Sequence, residues 1–196
     1  MVRKLNNMSL ISKIAAFMIA VNLGGIAVLA GYTWTTETRT SIAAAVDKWT
    51  RDTEQFASLA AGGIKWNKPE VVRESYALYR DDASLNLVGF HAYNRDSEIV
   101  DEWIDENAEA TLGADRIATL VGTSAESDEA VADYHGGLAT IVEPLPKNAA
   151  GQYSGAIVTE WSTAPIYAAA QWNALMLFAI QAGLVLAAFG LLMLVL

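Results

Sequence analysis

There is no cysteine among the 196 residues. That excludes disulfides and thiolate chemistry, whether nucleophilic or metal-binding. Histidine is scarce: His91 and His135 are the two in the chain. They stand alone in sequence, whereas a metal site ordinarily gathers three or four donors. No metal is therefore expected, and each histidine reads as a hydrogen-bonded side chain on a strand or turn. No phosphate-binding loop, HExxH pair or serine nucleophile elbow is present, so no catalytic set, enzyme activity or cofactor is expected. Basic residues are few, 13 lysines and arginines against 22 acids for a formal charge of −9. A chain of that sign has no footprint for nucleic acid. Proline is rare, with four in all and none before Pro69, which leaves the first third of the chain free to be one unbroken helix.

What is abundant is apolar sequence, 53% of the chain. Two runs, Ile14–Trp34 and Ala174–Leu196, are each long enough for a hydrocarbon core that needs about 20 apolar residues. The second carries no charge. They divide the chain into a tail at 1–13, a transmembrane helix at 14–34, one domain at 35–173 and a second transmembrane helix at 174–196. Arg3, Lys4 and Lys13 precede or open the first run, and all 22 acids lie in the middle block with 10 basic residues, a formal charge of −12 there. The positive-inside rule then places the N-terminus in the cytoplasm and residues 35–173 outside. The expected location is a bacterial inner membrane, crossed twice, with a periplasmic middle. Val28-Leu29-Ala30 would serve as a leader-peptide cleavage site, but the apolar run exceeds the usual ~7–15 residues and the helical pattern crosses the cut unbroken. Asn22, Gly24 and Gly25 in the first run, and Gln181, Gly183, Ala187 and Gly190 in the second, are the small and amide residues that bring membrane helices together. They suit packing of the two spans within one chain and a four-helix bundle in a dimer equally.

The helical pattern continues past the first span to an expected stop at Gly62-Gly63. Its polar half, 35–61, keeps a stripe at Ile42, Val46, Trp49, Phe56 and Ala60, close to the 3.5-residue repeat of a helix–helix seam. The stripe is expected to serve both the domain's own sheet and a second copy of the chain. A second helix is predicted at Pro69–Arg80, with Pro69 in its first turn. Alternation predicts a strand at Asn86–Asn94, with Leu87, Gly89, His91 and Tyr93 on one face and Val88, Phe90 and Ala92 on the other. A turn at Asn94–Ser97 leads to a short return strand at Glu98–Asp101. Asp101–Leu112 is acidic, with Asp101, Glu102, Asp105, Glu106 and Glu109 spaced like one face of a helix. A helix at Ala114–Val121, a turn or short helix at Glu126–Val131 and a turn at Tyr134–Gly137 follow. Strands at Leu138–Leu145 and Ser154–Trp161 flank a polar loop, and a helix from Thr163 to Trp172 runs into the second span.

Gly137-Leu138-Ala139-Thr140-Ile141-Val142-Glu143-Pro144-Leu145, a glycine-bearing loop, and Gly155-Ala156-Ile157-Val158-Thr159-Glu160-Trp161-Ser162 together resemble the closing strand pair of the single Cache domain. That family is the PAS-like extracytoplasmic sensor of bacterial receptors such as methyl-accepting chemotaxis proteins. Leu87–Tyr93 followed by Asn94-Arg95-Asp96 is similar to its first strand and turn, with Ser97 and Glu98 where the family often has a glycine. The resemblance covers 35–170 in layout and 137–162 in detail. It implies an α+β fold: two transmembrane helices flanking a PAS-like antiparallel sheet packed on a long N-terminal helix. The second helix and the acidic excursion would cover the other side of the sheet, over a small-molecule ligand. It also implies the input half of a homodimeric chemoreceptor in the lipid bilayer.

Candidate ligand contacts follow from residue chemistry, since arginine recognises carboxylates bidentately and tyrosine is a rigid hydrogen-bonding group. They are Arg73, Tyr76 and Arg80 on the second helix, His91 and Tyr93 on the first strand, and Tyr134 and His135 at the later turn. The seven acids between Arg95 and Glu109 admit a divalent-cation reading. Competing functions are the sensor of a histidine kinase or nucleotide cyclase, and a membrane assembly subunit with no ligand. A receptor needs a cytoplasmic output, so the sequence is expected to be part of a longer protein.

Overall fold

A computed structural model describes residues 10–108, 111–148 and 150–195. The chain forms two compact units. One contains the apolar helix segments, up to Thr40 and from Ile166 onward; the other is Ser41–Pro165. The elements in order are α1 (Leu10–Lys65), α2 (Pro69–Asp81), a 3-10 turn at 83–85, β1 (Leu87–Asn94), β2 (Ile99–Ile104), α3 (Ala114–Ser127), β3 (Val131–His135), β4 (Leu138–Pro144), β5 (Gly155–Ser162) and α4 (Ala164–Val195).

Two helices, α1 and α4, are long and apolar enough to cross a membrane, with mean hydropathy of 2.1 and 2.2 in their most apolar windows. Within the first unit small residues lie at the contact, Ala30, Ala170 and Ala174 being buried. Asn173 Nδ2 donates to Glu37 Oε1 at 2.7 Å. The Asn22 amide donates to the carbonyl of Met18 one turn back at 2.8 Å.

Helix α1 does not stop at Gly62-Gly63; it continues to Lys65. Gly63 is there for close approach: a Cβ would lie 2.9 Å from a methyl of Val72 on α2. The stop is a Schellman motif. Asn67 takes φ 50°, the Lys68 N–H reaches the Gly63 carbonyl at 2.7 Å and the Asn67 N–H that of Ile64 at 3.2 Å. Asparagine tolerates this left-handed position as glycine would.

The second unit is α+β, built on a five-stranded antiparallel sheet in the order β2-β1-β5-β4-β3. The expected strands are present, β1 as an interior strand paired with β2 and β5. Strand β3 was not anticipated, and the turn after it is Gly136-Gly137 alone, both at positive φ. In the β1–β2 turn Ser97 adopts φ 61°, the conformation glycine would otherwise supply. Asp101–Ile104 is the second half of β2 and not a helix. Glu109 lies outside the described residues. Helix α3 runs six residues past its expected end, to Ser127.

Register assigns the two faces. Phe90, Ala92, Ile157, Thr159 and Trp161 share one face with Asp101, Trp103 and Glu143. Trp49 and Phe56 of α1 stack on Trp161, with ring centroids at 5.4 and 6.4 Å. Tyr76 of α2 stacks on Phe90 at 4.1 Å. Helix α2 thus lies on the same side of the sheet as α1, not on the opposite side as expected; Val72 and Tyr76 are its buried residues, and Tyr76 meets Phe90, the ring that Phe56 also meets. The other face carries His91, Tyr93, Ala156, Val158 and Glu160. There α3 closes the core, Ile117, Leu120 and Val121 packing with Val142, Ala156 and Val158. Trp49, Phe56 and Ala60 of the α1 stripe are buried, while Ile42 and Val46 are half-buried.

Glu143 sits under α1, and burial followed by the charge of Glu54 pushes its carboxyl up to about 7. A raised acid contributes most stability below its unfolded value near 4.5 and loses it as pH climbs through about 7. Glu143→Gln should therefore match the parent at pH 5 and exceed it at pH 8 by roughly 1–2 kcal/mol, the lower part of the range reflecting partial exposure. Urea midpoints at the two pH values check this; equal midpoint differences at both would remove the carboxyl from the account.

Candidate functional site

The seven residues singled out from sequence fall in separate places. On the α1–α2 face, Arg73 Nη2 donates to Asp101 Oδ1 and the Tyr76 hydroxyl to Asp101 Oδ2, both at 2.7 Å. Asp101 is buried, and these two donors satisfy both its oxygens. Burial and the Asp101 bond raise the Tyr76 hydroxyl well above its ordinary value. This triad ties α2 to β2; Tyr76 is buried within it, while Arg73 keeps about half of its side chain exposed. Arg80 Nε donates to its neighbour Asp81 at 2.8 Å. Tyr134 and His135 lie exposed on the edge strand β3. Burial and then the charge of Asp47 raise the Tyr134 hydroxyl.

His91 and Tyr93 share the α3 face and stack with centroids 6.5 Å apart. Both ring nitrogens of His91 meet carboxylates, Nε2 that of Glu160 at 3.2 Å and Nδ1 that of Glu102 at 3.0 Å. Glu160 is fully buried, and its second oxygen accepts the Leu112 N–H at 3.0 Å. Its side chain lies over Gly89, where a Cβ would come within 3.1–3.3 Å of it; the strand alternation puts a glycine where the carboxylate needs room. A neutral imidazole has one N–H, so meeting both carboxylates as acceptors takes an imidazolium or one protonated acid. The chain Glu102–His91–Glu160–Leu112 runs from a half-exposed carboxylate at the sheet's flank to the buried middle of β5 and on to the segment leading into α3. Tyr93 flanks it; burial, then the charges of Glu102 and Glu160, raises its hydroxyl.

Glu160 was not among the sequence candidates, and Asp101 and Glu102 were named only as members of the acidic segment. Glu160 had a local signal, a lone acid among apolar and threonine residues in a strand that proves wholly buried up to Trp161. The acidic segment as a free helix face is corrected: Asp101 holds Arg73 and Tyr76, Glu102 meets His91, Glu98 accepts from the Asn94 amide, and Asp105 accepts from Asn107 within its own turn. Among the described residues no three acid or histidine side chains converge as a metal-binding group.

A cleft of about 550 Å³ opens elsewhere in this unit, between the end of α1, the β1–β2 turn and the β4–β5 loop. Ala61, Ile64, Leu145 and Pro146 give it an apolar lining, and Lys65, Arg95 and Lys147 bring one cation from each wall. Asp96 is the single acid in the lining. Tyr153 also lines it; burial pushes its hydroxyl up to about 12. None of the seven sequence candidates lies here. No protein-family model matches the chain, and no curated protein matches it in sequence.

Proposed function

We propose that the chain is the input half of a two-pass membrane sensor, a homodimer whose middle domain senses a small solute outside the cytoplasm. The layout of five antiparallel strands packed on a long helix is in keeping with the PAS-like Cache arrangement that the closing strands resemble. The observation that carries the reading is the joint between sheet and membrane helix. Strand β5 is central, buried and bonded along both edges, and a single residue, Thr163, separates it from α4. That residue is clamped: its N–H and its hydroxyl both reach the Gly137 carbonyl, at 2.9 and 2.6 Å. The Ser162 N–H bonds the Asn86 carbonyl at 2.9 Å. In this reading a shift of the sheet of about 1–2 Å would pass to α4 through this one residue. The coupling required is about 1–3 kcal/mol.

The absence of cysteine makes the test direct. Single cysteines at Ile42 or Val46, the half-buried members of the α1 stripe, should yield disulfide-linked dimers in oxidised membranes. A cysteine at Trp172 should crosslink at a rate that changes severalfold when a solute from a metabolite panel is added. Monomers at both stripe positions would remove the dimer, and a Trp172 rate indifferent to every solute that the chain binds would remove the signalling role.

A further inference from the structure

The cleft at the end of α1 sits badly with the rest of its surroundings. Residues 35–173 carry a formal charge of −12, yet three of their ten basic side chains converge on this one opening against one acid. The cations arrive from three different elements, so the clustering is a product of the fold and not of a basic stretch of sequence. Each is also set on a stiffened corner closed by an asparagine. Asn67 ends α1 in the left-handed conformation two residues after Lys65. Asn94 accepts the N–H groups of Asp96 and Glu98 at 2.9 and 3.0 Å, on either side of the turn that carries Arg95. Asn148, next to Lys147, accepts those of Ala150 and Gln152 at 2.9 and 3.0 Å.

The cations are available. Arg95 meets Asp96 at 3.4 Å with both side chains about two-thirds exposed, and Lys147 meets Asp128 at 3.1 Å, again exposed; pairs of this kind are weak and readily exchanged. Lys65 makes no ion pair among the described residues; its ammonium lies over the Trp66 ring at 5.4 Å. A bare inorganic anion would fill little of 550 Å³ and would leave the apolar lining of Ala61, Ile64 and Leu145 wet. A polyanion would be repelled by the acidic surface around the opening. What fits is a compact molecule with charge at its ends and carbon between them.

We propose that this cleft binds a small organic acid bearing two or three anionic groups on a short carbon skeleton, held by Lys65, Arg95 and Lys147. The site rests on the sensory reading only for its purpose, since binding can be measured without signalling. Calorimetry of the full chain in lipid nanodiscs, with citrate and succinate as probes, should give saturable binding that weakens as salt is raised. Lys65→Ala, Arg95→Ala and Lys147→Ala should each weaken it about tenfold or more, the loss expected for a charge-assisted hydrogen bond. Arg80→Ala, equally basic but outside the cleft, should leave it unchanged. All four positions are at the surface, and urea midpoints close to the parent's confirm that the variants fold. Neutral succinamide should not compete, and inorganic phosphate should compete far more weakly than citrate. The proposal is overturned if neither acid binds up to about 10 mM, if the three substitutions leave affinity intact, or if phosphate competes as well as citrate. Citrate binding with an unchanged crosslinking rate at Trp172 would keep the site and sink the signalling role. A rate that responds to another solute in the triple alanine variant would do the reverse.

Discussion

His91→Ala is expected to destabilise the Ser41–Pro165 unit by about 1–3 kcal/mol, the range for leaving a buried polar group without its hydrogen-bond partner. The reason is what it leaves behind. Glu160 has no exposure and two partners, the His91 ring and the Leu112 N–H. Without the ring, the buried Glu160 side chain on the central strand retains one hydrogen bond among the described residues, from the Leu112 N–H. Gly89 beneath it offers no side chain, and Val158 and Val142 on the same face belong to an apolar cluster. Glu102→Ala removes the other carboxylate contact but from a residue about half exposed, so its effect should stay below about 1 kcal/mol. Replacing the pair together, His91→Leu with Glu160→Met, should recover most of the loss, because no buried polar side chain is then left without its partner. Urea unfolding of the full chain in nanodiscs, followed by tryptophan fluorescence, gives all three numbers. A cost for His91→Ala no larger than that for Glu102→Ala would mean that solvent reaches Glu160. The same cluster links β1 to β5 and to the segment entering α3, so its loss should also loosen the joint at Thr163 on which the sensor reading depends.

Trp161→Ala should cost about 3–5 kcal/mol, as large buried aromatic truncations do. Trp161 is fully buried and is the ring on which three others meet: Trp49 and Phe56 stack on it, and Tyr79 packs edge-on at 5.8 Å. It also starts a polar relay through the core. Its indole N–H donates to the Thr159 hydroxyl at 2.8 Å, that hydroxyl meets Thr53 at 2.7 Å, and Thr53 donates to the Trp49 carbonyl at 2.7 Å. The relay fixes β5 against α1 side to side as well as face to face. Trp161→Phe keeps much of the stack but leaves Thr159 without its donor, and should cost roughly 1–3 kcal/mol. Comparable losses for the alanine and phenylalanine variants would assign the stability to the relay; a small loss for both would mean that the stack of Trp49 and Phe56 closes over the gap.

Much of the fold was legible because it is written in local periodicity. Ile42, Val46, Trp49, Phe56 and Ala60 mark the face of α1, and the alternation in Leu87–Tyr93 separates Phe90 from His91 correctly. Local signals failed where a neighbour supplied the reason. Gly62-Gly63 has the composition of a helix stop, but Gly63 is small because Val72 packs against it. The acids of 101–106 have helical spacing, but Asp101, Glu102 and Trp103 are paired residue by residue with Ala92, His91 and Phe90. Val131–His135 has too little alternation to announce a strand and becomes one by pairing with β4. The arginine and tyrosine candidates were chosen for chemistry, and the fold used Arg73 and Tyr76 internally.

Composition and pattern alone determined the two apolar helices, the acidic block between them, the amphipathic continuation of α1 and the existence of an antiparallel sheet. Each is a property of a short window and survives any arrangement of the rest. The tertiary structure alone decided that α2 joins α1 on one face, that Glu160 is buried against His91, and that Lys65, Arg95 and Lys147 line one cleft. Those facts depend on contacts such as Tyr76 with Asp101 and His91 with Glu160, 25 and 69 positions apart, and such contacts are set by strand register and helix packing, which no window of the sequence contains.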